Sequence, residues 1–346
     1  MKDILRLAKQ LLARTFVRFL KTKEARQWVI REFPDYKEIR NELLNIENPY
    51  YSRHAVSQAT DKPVIFVTGR YRSGSTLLWN IFRKLEGHTA YYEPFNERRW
   101  FDSSSRGTRV DSTHQGVEDY WSEYSGLEHL GRYYDEDWTR QELFMGPDVY
   151  APKMKAYIDE LISAAEGTAV LQFNRIDFRL PWIMKNYPNA KILHIHRNPR
   201  DQWCSVLGDF HSYPSSARTR EGFQDRFYHC SWVRDLSRQF PFLEDYATSH
   251  HYYTFYFLWK LSFVFGSRFA DLSIAMERLT ENPKDSFSKI ITATGSNLNF
   301  EDLDLSFVNR ASSRWQDYAS DKWFTTIESE CERVLDDFFY GEMREM

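Results

Sequence analysis

The sequence has few cysteines, no surplus of either charge and no long apolar run. Its three cysteines, Cys204, Cys230 and Cys331, are odd in number and share no metal-ligand spacing. A disulfide framework is thereby disfavoured, and a reducing, cytoplasmic compartment is expected. A formal net charge of −3 offers nothing to neutralise a phosphate backbone, which argues against bulk nucleic-acid binding. No stretch approaches the roughly 20 apolar residues that span a bilayer, and no signal-peptide core is visible. What is present is a chain of 346 residues, 42% hydrophobic and 27% charged, long enough to bury a sizeable core.

The first 23 residues hold seven basic side chains and one acid, Asp3. Drawn as a helix, they place Ile4, Leu5, Ala8, Leu11, Leu12, Phe16 and Phe19 on one face, with most basic residues opposite. Such a helix suits an anionic membrane surface, as a peripheral contact, or docking onto its own domain. A cleaved transit segment is disfavoured because serine is absent. Residues 1–60 are read as a helical extension and 61–346 as one domain, with insertions near 102–150 and 209–250.

From residue 62 onward, apolar strands alternate with helical patterns. Strands are expected at 64–67, 89–92, 169–173, 191–196 and 272–276. Helices are expected at 76–85, 155–165 and 181–186, from Arg200, and at 251–265 and 283–293. This order implies right-handed βαβ crossovers and a three-layer α/β sandwich with a central parallel sheet. Residues 102–116 and 209–226, rich in Ser, Arg, Gly and Asp, interrupt the pattern. Each follows a strand–loop–helix unit, where open α/β sheets bind ligands, so each is either a lid or a surface loop.

The segment KPVIFVTGRYRSGST, residues 62–76, reads as a buried strand running into a phosphate-binding loop. Gly69 and Gly74 stand at the spacing of the nucleotide loop GxxxxGK(S/T), but Ser75 replaces the lysine. That lysine ordinarily reaches the β- and γ-phosphates, so its loss suggests a phosphorylated ligand without a γ-phosphate. Arg70 and Arg72 supply positive charge instead. A second signal follows the strand at 191–196: HRNPRDQWCS, residues 196–205, delivers Arg197 to the ligand edge and Ser205 two turns into a helix. Arginine plus a hydroxyl suits a second phosphate; the plainer alternative is an arginine paired with a surface carboxylate. Metal-assisted phosphoryl transfer needs an acid after such a strand, and here an arginine stands there.

Together, RSGST (residues 72–76) and HRNPRDQWCS resemble the two phosphate motifs of sulfotransferases that use 3′-phosphoadenosine 5′-phosphosulfate (PAPS). IAMERLTENP, residues 274–283, is similar to a later strand and turn of that family. The resemblance spans about residues 62–295. It implies that Arg72, Ser73, Gly74, Ser75 and Thr76 hold the 5′-phosphosulfate, and that Arg197 and Ser205 hold the 3′-phosphate. It also implies that Arg72 neutralises the leaving oxygen, and that no metal takes part. EPF, residues 93–95, looks like the carbohydrate and tyrosylprotein enzymes, making Glu93 the candidate general base and a carbohydrate or glycolipid hydroxyl the expected acceptor. Glu93 is otherwise a structural partner for Arg98 or Arg70.

The catalytic histidine of the cytosolic small-molecule enzymes has no counterpart, since LQFNR, residues 171–175, stands in its place. Asn174 and Arg175 are open to a role at the sulfonate, or Arg175 to a pairing with Asp177. Ser312, Ser313, Arg314 and Trp315 are candidates for closing over the nucleotide. A small-molecule P-loop kinase or NTPase, or an inactive nucleotide-binding protein, remains the alternative. His194 and His196 share a strand face without a third metal ligand. Trp100, Tyr120, Trp121, Tyr133, Tyr134 and Trp138 suit either core packing or sugar stacking.

Overall fold

A run of β-branched and aromatic residues closed by glycine makes Val64–Thr68 the first strand, β1, and all five of its residues are buried. That is the pattern of a parallel strand covered on both faces. The computed structural model describes residues 62–217, 222–296, 305 and 313–344. The expected amino-terminal helix lies outside the described residues. Contacts divide the chain into two units, one of residues 56–147 with 151–346 and the other of residues 1–55 with 148–150. The sheet and its helices belong to the first of these units.

After β1 come α1 (Ser75–Arg83), β2 (His88–Tyr92), α2 (Pro152–Ala164), β3 (Thr168–Phe173), α3 (Leu180–Asn186), β4 (Lys191–His196) and α4 (Pro199–Leu207). They are followed by α5 (His229–Leu236), α6 (Phe242–Asp245), α7 (Tyr252–Phe269), β5 (Leu272–Ala275), α8 (Met276–Glu281), α9 (Pro283–Thr294), α10 (Trp315–Tyr318) and α11 (Asp321–Arg344). α2, α3, α4 and α9 each carry a proline in the first two positions, where a fixed φ helps and no N–H is lost. Asn198 and Asn282 cap α4 and α9 with their side chains.

The five strands form one sheet in the order β2-β3-β1-β4-β5, and every pairing is parallel. The α/β architecture expected from the alternation is therefore present. Register places Thr68 beside both Phe173 and His194. The carboxyl ends of β1, β3 and β4 thus open at one edge, where the chain switches direction around β1 and such sheets bind ligands. α1 packs on β1, β2 and β3, while α7 and α9 pack on β4 and β5.

The segment near 102–150 is not a bare loop. Short turns of 3-10 helix carry Tyr124, Leu130, Trp138 and Thr139 into the interior. Fully buried Arg179 anchors this segment, donating to the carbonyls of Trp138, Gln141, Glu142 and Arg175. Burial lowers its pKa to about 10. Likewise, the segment near 209–250 contains α5 and α6. Their apolar side chains Trp232, Val233, Leu236 and Leu243 join the aromatic cluster around Trp203 and α7. These helices escape the sequence pattern because they are short.

α11 was not among the expected elements, although Phe324, Ile327, Cys331 and Leu335 recur at helical spacing and are all buried. A row of hydroxyls on α7 holds it: Tyr252 donates to Glu328 at 2.7 Å, Tyr253 to Glu330 at 3.0 Å and Tyr256 to Glu332 at 2.6 Å. Cys204 is buried in the aromatic cluster, and burial pushes its thiol up to about 12. His194 and His196 stack on each other at 5.8 Å, and His194 Nδ1 shares a hydrogen bond with Ser273 Oγ at 2.8 Å. The His194 ring lies so close to Gly266 of α7 that an added Cβ would overlap it. Gly266→Ala should therefore overpack this seam and cost about 1–3 kcal/mol of stability. Urea unfolding measures this; an unchanged midpoint would show that the ring can move aside.

Candidate active site

Two glycines set the loop between β1 and α1. Gly69 presses on β4, where an added Cβ would overlap the Ile195 carbonyl oxygen. Gly74 has φ 100° and lies under Met276, whose sulfur occupies the place a Cβ would need. No side chain caps α1 and no acid stands in its first turn. Its leading N–H groups and dipole therefore favour an anion.

The loop and the strand end of β4 meet. Arg72, held at φ 67°, donates from Nε to Ser205 Oγ at 3.0 Å. Its Nη1 reaches Thr113 Oγ1 at 3.2 Å and lies 3.6 Å from Asp111. Residues assigned from sequence to opposite ends of a ligand are thus in direct contact before any ligand is considered. Arg197 stands beside them, its backbone carbonyl fixed by Trp259 Nε1 at 2.9 Å. Burial lowers its pKa, while Asp201 and Glu277 act in the opposite sense.

Arg70 does not supply charge to this surface as expected. Its guanidinium is buried 4.5 Å from the Trp232 ring, on the interior side of the loop. Ser73 is also fully buried and presents no side chain to the cleft.

Glu93 follows β2 in a strained backbone at φ 37° and is buried. Its carboxylate accepts from Asn96 Nδ2 at 2.6 Å, Arg175 Nη1 at 2.9 Å and Asn174 Nδ2. The partner is Arg175, in place of Arg98 or Arg70. Arg175 also donates to Glu97 at 2.9 Å and leaves Asp177 alone; Asp177 instead accepts from Thr68 and Ser262. Burial opposes the Arg175 charge, yet Tyr71, Glu93 and Glu97 together raise its pKa.

The network continues into the loop. Ser75 Oγ donates to Asn174 Oδ1 at 2.9 Å, and Gln172 Nε2 reaches both at 3.1 Å. Thr76 Oγ1 lies 3.4 Å from the Tyr92 hydroxyl.

These groups line one cleft of about 530 Å³, which holds Arg72, Gly74, Ser75, Thr76, Glu93, Arg197 and Ser205. Asn174, Arg175 and Met276 also reach it, as do side chains that sequence reasoning passed over: Asp111, Thr113, His114 and Tyr228. The first three belong to the 102–116 segment, whose position after a strand–loop–helix unit was the available signal. Of the named aromatics, Trp100, Tyr120, Tyr134 and Trp138 are all buried, and Trp100 and Tyr120 form part of the cleft wall. Arg314 donates its backbone N–H to Asp201 at 2.9 Å, at the start of α4, while Ser312 lies outside the described residues.

The switch point of this parallel sheet joins a lysine-free glycine loop after β1 to Arg197 after β4 and Ser205 on α4, an arrangement that suits an anion. The sulfotransferase family profile matches residues 63–299, and the chain belongs to that family. Two solved structures have a similar chain course. Sulfotransferase STF9 from Mycobacterium avium is 14% identical, over 83% of this chain and 79% of that one, with a TM-score of 0.44. Sulfotransferase STF1 from Mycobacterium tuberculosis is 16% identical, over 81% and 80%, with a TM-score of 0.39. No curated protein sequence matches.

Arg175→Met leaves Glu93 buried without its cation, and should cost about 3–5 kcal/mol of stability. Adding Glu93→Gln to that variant should restore part of the loss. Denaturant unfolding of the two single variants and the double variant gives the coupling directly, and additive losses would mean that the pair is not coupled.

Proposed function

We propose that this enzyme transfers a sulfonyl group from PAPS to a hydroxyl of a carbohydrate or glycolipid acceptor, in the manner of the carbohydrate and tyrosylprotein branch. The observation that carries the reading is the Arg72–Ser205 contact, which joins the two phosphate motifs on one cleft wall. The cleft fits such a donor: it has an uncapped helix start, no loop lysine for a γ-phosphate, and two arginines beside a serine hydroxyl. When bound, PAPS supplies a sulfonyl group activated by its bond to a phosphate.

The backbone of residues 73–76 and the Thr76 hydroxyl would hold the 5′-phosphate at the start of α1. Ser75 differs from its sequence-level role, because its hydroxyl is already committed to Asn174 and Gln172. Arg197 and Ser205 would take the 3′-phosphate. Arg72, adjoining both motifs, would stabilise charge on the leaving oxygen. Glu93 would receive the proton of the acceptor hydroxyl. Asn96, Asn174 and Arg175 donate to that carboxylate and the Tyr92 phenol also reaches it, so the acceptor hydroxyl would take the place of one of the neutral donors among them. Among the cleft-wall aromatics, the half-buried Tyr228 suits stacking on a sugar face, whereas Tyr92, Trp100 and Tyr120 are buried against one another.

Calorimetry should show tight binding of 3′,5′-diphosphoadenosine without metal and weak binding of ATP with Mg²⁺; preference for ATP would sink the proposal in favour of a kinase or NTPase. With a responsive acceptor found by screening glycans and glycolipids with labelled PAPS, Glu93→Gln should lower kcat about 10²–10⁴-fold. Arg72→Ala should lower it about 10²–10³-fold. Full turnover by the Glu93 variant would remove it as the base.

A further inference from the structure

We propose that His114 is a further catalytic residue, a neutral imidazole that donates its Nε2–H to an oxygen of the sulfonyl group in transit. The proposal rests on the donor assignment above.

The argument is a count of protons. The Tyr120 hydroxyl accepts the backbone N–H of Asp111 at 2.9 Å. Its other contact among the described residues is His114 Nδ1, at 2.5 Å. Burial pushes the Tyr120 phenol up to about 12, so it keeps its proton at neutral pH. A phenol has one proton to give, and His114 Nδ1 is the acceptor within its reach. Nδ1 is then the acceptor nitrogen, and the ring proton sits on Nε2. Burial also lowers the pKa of the imidazole, keeping it neutral; Asp111 and Glu93 act upward on it and Arg72 downward.

Nε2 is neither buried nor hydrogen-bonded among the described residues, and His114 lines the cleft. The ring is braced edge-on by Tyr92 at 6.2 Å and by Tyr120 at 5.7 Å. Tyr120 itself stacks on Tyr92 at 4.4 Å. The free N–H is therefore presented by a fixed aromatic frame, in the same cleft as the leaving-group arginine and the base carboxylate.

This assignment separates three tasks. In the transfer, the acceptor oxygen forms its bond to sulfur as the bond from sulfur to the 5′-phosphate oxygen breaks. The electron pair of the broken bond stays on that phosphate oxygen, beside Arg72, and the acceptor proton goes to Glu93. His114 keeps its own proton throughout and orients the sulfonyl oxygens. A neutral donor suits this, because those oxygens carry their charge before and after the transfer.

The test compares PAPS with 3′,5′-diphosphoadenosine, which lacks the sulfonyl group. In His114→Phe, affinity for the diphosphate should stay at the wild-type level while affinity for PAPS falls about 10- to 100-fold, the loss of one hydrogen bond to a charged group. In His114→Gln, whose amide restores an N–H, much of the PAPS affinity and of kcat should return. Nitrogen-15 shifts of the imidazole in the wild-type protein should report the Nε2–H tautomer. Equal PAPS affinity in wild type and His114→Phe, no rescue by glutamine, or an Nδ1–H tautomer would each overturn the proposal. If the wild-type protein binds neither nucleotide, the donor assignment falls first and this inference falls with it.

Discussion

The buried guanidinium of Arg175 is the group on which the rest of the cleft depends. Only 2% of its side chain is exposed, and it is clamped between Glu93 and Glu97. A charge so placed is tolerable only when its partners are present and well aligned. Because Arg175 follows β3 and both glutamates follow β2, the pair fixes the ends of two neighbouring strands to each other. The same Glu93 carboxylate takes the Asn174 amide, whose oxygen takes Ser75 at the start of α1. An unbroken set of hydrogen bonds therefore runs from the phosphate loop to the proposed base. These bonds tie the start of α1 to the ends of β2 and β3.

Strain is placed in the same region. Among the described residues, five that are not glycine have positive φ, and three of them, Arg72, Glu93 and Tyr228, line the cleft. Each of these conformations is costly for a side-chain-bearing residue and persists only where its surroundings over-determine it. For Arg72 the surroundings are Ser205 and Thr113, for Glu93 its three donors. The left-handed turn at Arg72 explains how a loop without the usual lysine still brings a cation to the cleft. The arginine leaves the loop toward α4, where Ser205 is waiting, and Arg70, two residues earlier, turns inward onto Trp232.

Strand positions were readable because buried parallel strands are short apolar runs bounded by turn residues, and β4 has the boundaries its sequence suggested. The positions of the glycine loop after β1 and of Arg197 after β4 were readable for a different reason: glycine spacing and a strand-end cation are local features. Glu93 was found as a residue, but its partner was not. Arg175 lies 82 positions away in the chain, and only the register of β2 on β3 brings the two together. His114 was passed over on the same ground, since its place in the cleft and its hydrogen bond to Tyr120 come from the fold. α11 shows a third kind of miss. Its apolar period was visible, but the glutamates that tyrosines of α7 capture read as an ordinary solvated face.

The segment that follows β4 serves two structures at once, which explains why it is richer in polar residues than the cleft alone needs. Arg197 and Ser205 face the cleft. Between them, Asn198 caps α4 and donates its backbone N–H to Glu277 at 2.8 Å. Arg200 turns the other way: it grips Glu328 at 2.7 Å and Asp321 at 2.6 Å on α11, with the Trp315 ring 4.8 Å from its guanidinium. Asp201 accepts the backbone N–H of Arg314. The helix that carries Ser205 is thus clamped to the carboxyl-terminal part of the chain by the residue next to its first proline. A displacement of α11 would be transmitted through Arg200 to α4, and so to the Ser205 hydroxyl that Arg72 contacts.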